Sequence, residues 1–268
     1  MNNLILTTAV GYNFHKIEIF IKSLRKFYDD EIVILINKNQ TELKFLLNDY
    51  RILFLESNIK ANNAASDRFN YYYQYLKDKF NIYNFIFLSD SRDVFFQANP
   101  FIFKYKSNLN FYLEDNYIEN CKHNSAWIKK TVGNNNYEKI KKNRISCSGT
   151  VFGKSEDVFY YIKLMQESII RYKYKKNFKE FLLLKRKYSG YDQGIHNYLV
   201  YNNFFKEFHL YKNTEGNIAT INYYSKKLTF NSHHQLVNSQ GRPYDVVHQY
   251  DRPSVFLNFR DTIKSILI

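Results

Sequence analysis

Two aspartates stand close together in one short polar string of the sequence. Asp90 and Asp93 follow the apolar run 85–88, and Arg92 lies between them. Neighbouring carboxylates repel each other unless a cation sits between them, and oxygen ligands of this kind suit Mg²⁺ or Mn²⁺ shared with substrate phosphates. The string therefore predicts a divalent-metal site. The residues leave one alternative open, an ion pair between Arg92 and Asp93 in a surface turn.

The first hundred residues predict the elements that must position these acids. Apolar spacing predicts strands at 4–8, 32–36, 52–55 and 85–88, a helix over 15–27 and a later helix that Ser66 would cap. This alternation is typical of an α/β fold, a mostly parallel sheet with helices on both faces. Ligands of such sheets bind at the carboxyl ends of the strands. We therefore expect the segments after the first and fourth predicted strands to meet at the site.

After residue 100 the alternation becomes less regular. Short strands are predicted at 111–113 and 150–152, helices from Ser155 and over 192–201, and a late strand that ends on His248. No repeat, proline-rich boundary or low-complexity linker interrupts the chain. We expect a single domain over residues 1–268.

The net charge of +14 calls for an anionic partner. Residues 171–187 hold eight basic residues and one acidic residue, interleaved with apolar ones. A helix of this kind could lie on an anionic membrane, or it could be a solvated helix packed on the core. The amino terminus lacks the pattern of a secretory signal, and no apolar run approaches the ~20 residues that span a bilayer. We expect a cytoplasmic protein, with peripheral membrane association as an option.

Four segments together resemble one protein family. Residues 87–97 (FLSDSRDVFFQ) look like the D-x-D region of GT-A-fold glycosyltransferases, closest to a largely bacterial and viral group with D-x-R-D-V-x-F-Q followed by Pro-Phe. Residues 148–153, 191–194 and 241–253 resemble the strand under the acceptor site, the D-Q pair of the acceptor-side helix and the closing segment with its late histidine. The two acids here are three residues apart rather than two. That spacing leaves open which acid binds the metal directly.

The resemblance implies a Rossmann-like GT-A fold and a sugar-transfer reaction. Residues 1–100 would form the nucleotide-sugar-binding half, and residues 101–268 a smaller acceptor-binding half with the closing segment. A hexosyl or pentosyl group would pass from a nucleotide-diphosphate sugar, a UDP-sugar first, to a hydroxyl of a glycan or lipid-linked acceptor. Mn²⁺ or Mg²⁺ would be required. This chemistry belongs to polysaccharide biosynthesis.

The resemblance also implies roles for single residues. Asp93 would bind the metal, Asp90 would bind metal or ribose, and His248 would complete the metal shell. Arg252 and Arg68 would clamp the diphosphate, because its negative charge grows as the sugar leaves. Arg68 could instead be an exposed helical arginine. The full set of expected donor-binding residues is Thr8, Ala9, Val10, Arg68, Asp90, Ser91, Arg92 and Arg252.

A general base for the acceptor hydroxyl must be a carboxylate or histidine within hydrogen-bond reach. Asp192 is the first choice, although an aspartate at a helix start is equally often an N-cap. Glu114 and Asp115, after a short strand, are the second choice.

Two other classes compete with a glycosyltransferase. A nucleotidyltransferase would share the sheet and the metal, but it is expected to carry a glycine-rich basic loop after the first strand. Residues 7–13 hold one glycine and no arginine. A nucleic-acid-binding protein would explain the charge but not the paired acids, so no nucleic-acid partner is expected.

Overall fold

The computed structural model describes residues 2–174, 190–222 and 228–252. The strands within these ranges are β1 (Asn2–Thr8), β2 (Glu31–Asn37), β3 (Leu53–Ser57), β4 (Tyr83–Ser89), β5 (Val94–Phe96), β6 (Leu109–Tyr117), β7 (Arg144–Lys154), β8 (His209–Tyr211), β9 (Ile218–Thr220), β10 (Thr229–Phe230), β11 (Leu236–Val237) and β12 (Val246–His248). The α-helices are α1 (Phe14–Arg25), α2 (Thr41–Asp49), α3 (Ala64–Leu76), α4 (Lys122–Val132), α5 (Asn134–Ile140), α6 (Ser155–Tyr174) and α7 (Tyr191–Tyr201).

Seven of these strands form the central sheet, in the order β3-β2-β1-β4-β7-β6-β8. The first four are mutually parallel, β7 runs antiparallel to both of its neighbours, and β8 is again parallel to β6. The fold is therefore α/β, with a mostly parallel central sheet flanked by helices, as the sequence predicts.

Alternate residues of the central strands face two different helical layers. Leu4 and Leu6 of β1 belong to the apolar cluster that contains side chains of α3 and α6. Ile5 lies between them in the sequence and belongs to the cluster with side chains of α1 and α2. Strand side chains point alternately to the two faces of a sheet, so continuous apolar runs such as that of β1 predict burial on both faces.

A smaller sheet stands beside the carboxyl ends of the parallel strands. Its order is β5-β12-β9, with β12 antiparallel to β5 and parallel to β9. In this sheet His248 pairs with Val94, the residue that follows Asp93. The small sheet thereby brings the late histidine to the acid loop.

The structure corrects two predictions about helix starts. Helix α3 begins at Ala64 after Asn63, so Ser66 lies inside the helix and the prediction of a Ser66 cap is wrong. Helix α7 begins at Tyr191 after Gly190, whose φ of 78° is a left-handed conformation that glycine adopts easily. The alternative of Asp192 as an N-cap is therefore also wrong.

Most of the basic segment 171–187 lies outside the described residues; its first four residues end helix α6. Among the residues that the structure describes, no helix is both long and apolar enough to cross a membrane.

Candidate metal centre

Two backbone hydrogen bonds and one from a serine side chain fix the acid loop, residues 90–93, on three sides. The amide of Asp90 donates to the carbonyl oxygen of Gly149 on β7 at 2.7 Å. The Oγ of Ser91 donates to the carbonyl oxygen of Thr8 on β1 at 2.7 Å. The amide of Gln249, just after β12, donates to the carbonyl oxygen of Asp93 at 2.7 Å. The loop is thus held between β1, β7 and β12.

Three side chains converge beside this loop. The Nε2 atom of His248 lies 3.5 Å from Oδ2 of Asp90 and 3.8 Å from Oδ1 of Asp93. One potential ligand atom from each residue lies within 4.8 Å of the other two. Oxygen and nitrogen atoms that share a Mg²⁺ or Mn²⁺ ion lie about 3–4 Å apart. The three residues form a buried group that could hold a metal ion.

The surroundings of His248 favour a positive charge near its Nε2 atom. His248 is 1% exposed, and its Nε2 makes no hydrogen bond within the described part of the chain. Although burial opposes the shift, Cys147, Asp90 and Asp93 raise the pKa of His248 well above its usual value. Nε2 therefore lies where positive charge, from a proton or from a metal ion, is stabilised. A Cβ atom on Gly149 would collide with the His248 ring and lie 2.6 Å from Oδ2 of Asp90. Glycine at 149 therefore leaves the room that His248 and Asp90 occupy.

Each carboxylate uses its other oxygen to bind an arginine. Oδ1 of Asp90 lies 2.6 Å from NH1 of Arg68. Oδ2 of Asp93 lies 3.0 Å from NH2 of Arg252 and 3.1 Å from NH2 of Arg92. Burial alone would raise the pKa of Asp90, but the Arg68 guanidinium outweighs it and holds that pKa well below its usual range. Asp90 is therefore ionised near neutral pH, as a metal ligand must be.

A pocket of about 290 Å³ opens beside the acids. Its lining residues are Thr8, Val10, Tyr12, Ala61, Asn62, Ala64, Ala65, Arg68, Asp90, Ser91, Arg92, Asp93, Gly190 and Arg252. The structure thus brings together seven of the eight residues expected to bind the donor. Ala9 is the exception: it is fully buried in the core beside α1. His248 lies behind the acids and is not part of the pocket lining.

Asp192 lies on the other side of Arg68 from Asp90. Its Oδ2 is 3.4 Å from NH2 of Arg68 and accepts a hydrogen bond from Oγ of Ser148 at 3.1 Å. Burial raises the pKa of Asp192 above its usual value, although Arg68 opposes the shift. Asp192 itself does not line the pocket, but Gly190, two residues earlier, does.

The second-choice bases also lie outside the pocket lining. Glu114 is buried and accepts a hydrogen bond from Nδ2 of Asn222 at 2.7 Å, and burial raises its pKa. Asp115 is more exposed and lies 3.6 Å from NH1 of Arg144.

The sequence analysis does not predict several residues that lie at the site. Tyr12 and the small residues at 61–65 form much of the pocket wall, yet neither position carries a motif; their place just after β1 and β3 is the signal that could have found them. Cys147 contacts His248 with its Sγ 3.6 Å from Nδ1. A cysteine outside any recognisable motif gives no hint of that contact.

Comparison of the chain with protein-family models and with curated proteins found no match.

Proposed function

We propose that this protein is a divalent-metal-dependent glycosyltransferase with a GT-A-like fold. It would take a sugar from a nucleotide-diphosphate sugar, a UDP-sugar first, and pass it to a hydroxyl of a glycan or lipid-linked acceptor. The observation that carries the proposal is the Asp90–Asp93–His248 cluster at the carboxyl ends of parallel strands, beside a pocket lined by arginines. In α/β sheets this edge is where ligands bind.

The chemistry of the donor explains why acids and arginines share one pocket. Asp90, Asp93 and His248 would hold Mn²⁺ or Mg²⁺, which neutralises diphosphate charge when bound. The cluster mixes two carboxylates with an imidazole, and carboxylate oxygens suit Mn²⁺. Arg252 and Arg68, both at the pocket wall, would supply fixed positive charge where the leaving diphosphate gains negative charge.

The pocket wall away from the acids suits the nucleoside. Thr8 ends β1, and Val10 and Tyr12 follow it, while the lining residues Ala61, Asn62, Ala64 and Ala65 lie just before or at the start of α3. The three alanines leave room for a planar base. We propose that this wall receives the nucleobase and ribose, while the arginine side receives the diphosphate.

The acceptor hydroxyl must lose a proton as the sugar is transferred. Asp192 is our candidate base. The guanidinium of Arg68 contacts both Asp192 and Asp90 of the cluster, and the raised pKa of Asp192 brings it closer to the operating range of a base.

A nucleotidyltransferase remains the second candidate, although Gly11 alone follows β1 where a glycine-rich loop would bind a triphosphate.

A thermal-shift screen tests the proposal. A ligand that binds only the native state raises the melting temperature. Nucleotide-diphosphate sugars with Mn²⁺ should raise Tm, with UDP-sugars giving the largest shift, and a chelator should remove the effect. Equal shifts with nucleoside triphosphates alone would favour the nucleotidyltransferase, and no shift with any nucleotide would contradict both.

A further inference from the structure

The ring of His248 touches a different group with each of its two nitrogens. Nε2 faces the carboxylates of Asp90 and Asp93 at 3.5 and 3.8 Å. Nδ1 lies 3.6 Å from the Sγ of Cys147. Both His248 and Cys147 are buried, with exposures of 1% and 3%, so water cannot readily replace either contact.

The surroundings of the sulfur favour an acceptor role toward the ring. The side-chain amide of Gln249 donates to Sγ from Nε2 at 3.7 Å. A thiol sulfur is a weak acceptor as well as a weak donor, and an amide N–H can only donate. The sulfur therefore already accepts one N–H group besides its contact with the imidazole.

A histidine that binds a metal through Nε2 needs a free electron pair on that nitrogen. The neutral ring carries one proton, which must then reside on Nδ1. Metal-binding histidines usually donate this second N–H to a fixed partner, which sets the tautomer and the ring orientation. The structure offers the Cys147 sulfur in that place, where other proteins use a carboxylate or a carbonyl oxygen.

We propose that Cys147 is a positioning residue for the metal centre: its sulfur accepts the Nδ1–H of His248 and so keeps the Nε2 electron pair aimed at the cation. The inference rests on the proposed metal site and not on the identity of the sugar. It gives Cys147 a role through hydrogen bonding, without contact to metal or substrate.

Backbone geometry helps to hold the ring in this orientation. Gln249, directly after His248, has a φ of 60°, which a residue with a side chain adopts at a cost. Two hydrogen bonds stabilise that conformation: the backbone N–H of Gln249 donates to the carbonyl oxygen of Asp93, and its side-chain amide donates to the sulfur of Cys147. The same residue thus joins both sides of the histidine.

The test compares two substitutions in the full chain, with Mn²⁺ alone as the probe and no nucleotide. In Cys147→Ala the acceptor is lost, and Mn²⁺ affinity measured by electron paramagnetic resonance should fall ~10- to 100-fold, the usual effect of losing such an outer partner. In Cys147→Ser a smaller acceptor remains, and affinity should stay closer to the wild-type value than in the alanine variant.

A second measurement reports the tautomer of His248 directly. It uses the wild-type chain, so it does not depend on whether a variant folds. With diamagnetic Zn²⁺ bound to the wild-type chain, long-range ¹H–¹⁵N spectra should show the His248 proton on Nδ1. A proton on Nε2, or an alanine variant that binds Mn²⁺ as tightly as wild type, would overturn the proposal. A wild-type chain that binds neither ion would overturn it together with the metal site. Tight Mn²⁺ binding that depends on Cys147, without any response to nucleotide sugars, would leave the inference standing and contradict the proposed function.

Discussion

The acid loop and the late strand β12 supply the same cluster by different means. Asp90 and Asp93 lie on the loop that directly continues β4. The Asp90 amide bonds this loop to β7, and the Ser91 hydroxyl bonds it to β1. His248 comes from a three-residue strand in a small sheet, and its ring contacts a cysteine 101 positions earlier in the chain. The acids bring two negative charges on one loop that continues the central sheet, whereas the histidine reaches them through the pairing of β12 with β5 and through the contacts of its ring. The acids should therefore carry most of the binding, and the histidine side should tune it.

Removal of the charge of an acid should have the largest effect. Asp93→Asn keeps the shape but removes a ligand charge and the partner of two arginines. Mn²⁺-dependent UDP binding and sugar transfer should each fall at least ~100-fold, since stabilisation of the leaving diphosphate would be lost. Calorimetry and a transfer assay measure the two quantities.

Asp251→Asn is the matched control for that variant. Asp251 pairs with Arg92 and Arg252, each at 3.1 Å, but it is not part of the metal cluster. Its substitution should change Mn²⁺-dependent UDP affinity only a few-fold. An equally large loss in both variants would mean that Asp93 acts by holding Arg92 and Arg252 in place and not by binding a metal.

Asp192→Asn would remove the proposed base and leave the Asp90–Asp93–His248 cluster unchanged. Transfer should fall ~100-fold, while Mn²⁺-dependent UDP affinity stays near the wild-type value. A base must be ionised, so wild-type transfer should also fall as the pH drops through the raised pKa of Asp192, and this dependence should vanish in the variant. Rate, affinity and melting temperature are compared on the same preparation.

Glu114→Gln serves as the control, since Glu114 is a second buried carboxyl with a raised pKa. If transfer falls there and not in Asp192→Asn, the base is Glu114, and Asp192 serves to hold Arg68. Unchanged transfer in both variants would indicate that no side-chain base is used.

Gly149→Ala tests whether close packing around His248 matters for metal binding. The added methyl group would press on the His248 ring and on Oδ2 of Asp90, and overpacking of this kind typically costs about 1–3 kcal/mol. Mn²⁺ affinity should fall about 10-fold, the equivalent of ~1.4 kcal/mol. Gly216→Ala is the control, because the nearest atoms to its Cβ belong to Tyr211 and Lys212. Equal Mn²⁺ affinities in the two variants would contradict the claim that the positions of His248 and Asp90 control metal binding.

The smallest effect on the site itself is expected from the basic segment 171–187. We propose that it docks the protein on anionic membranes, where a lipid-linked acceptor would be found. The wild-type chain should float with anionic vesicles at low salt and not at high salt, because each basic residue near such a surface contributes about 1 kcal/mol. The variant K185Q/R186Q/K187Q should float less while transferring sugar to a water-soluble acceptor at an unchanged rate. Flotation with neutral vesicles alone would contradict an electrostatic role.

The sequence predicts well whatever a local pattern controls. The apolar runs of β1, β2 and β4 and the helical spacing of α1 appear where expected, because burial on one or two faces dictates their composition. The acid loop follows β4 for the same reason. Residues that meet only through tertiary packing are different.

Helix starts and side-chain partners show this limit. Ser66 and Asp192 are good capping residues by type, yet Asn63 and Gly190 precede the two helices, since chain geometry decides where a helix begins. Ala9 stands in an expected binding loop but points into the core. The contact of Cys147 with His248 depends on how β12 packs against β7, which no periodicity encodes.

The central claim is that the acids and the histidine bind a divalent cation that in turn helps to bind a nucleoside diphosphate. Calorimetric titration of UDP into the wild-type chain, once with Mn²⁺ and once with a chelator, tests it most directly. The account predicts affinity at least ~10-fold higher with Mn²⁺, a gain of ~1.4 kcal/mol or more, and loss of that gain in Asp93→Asn. Equal UDP affinity in the two conditions would contradict it.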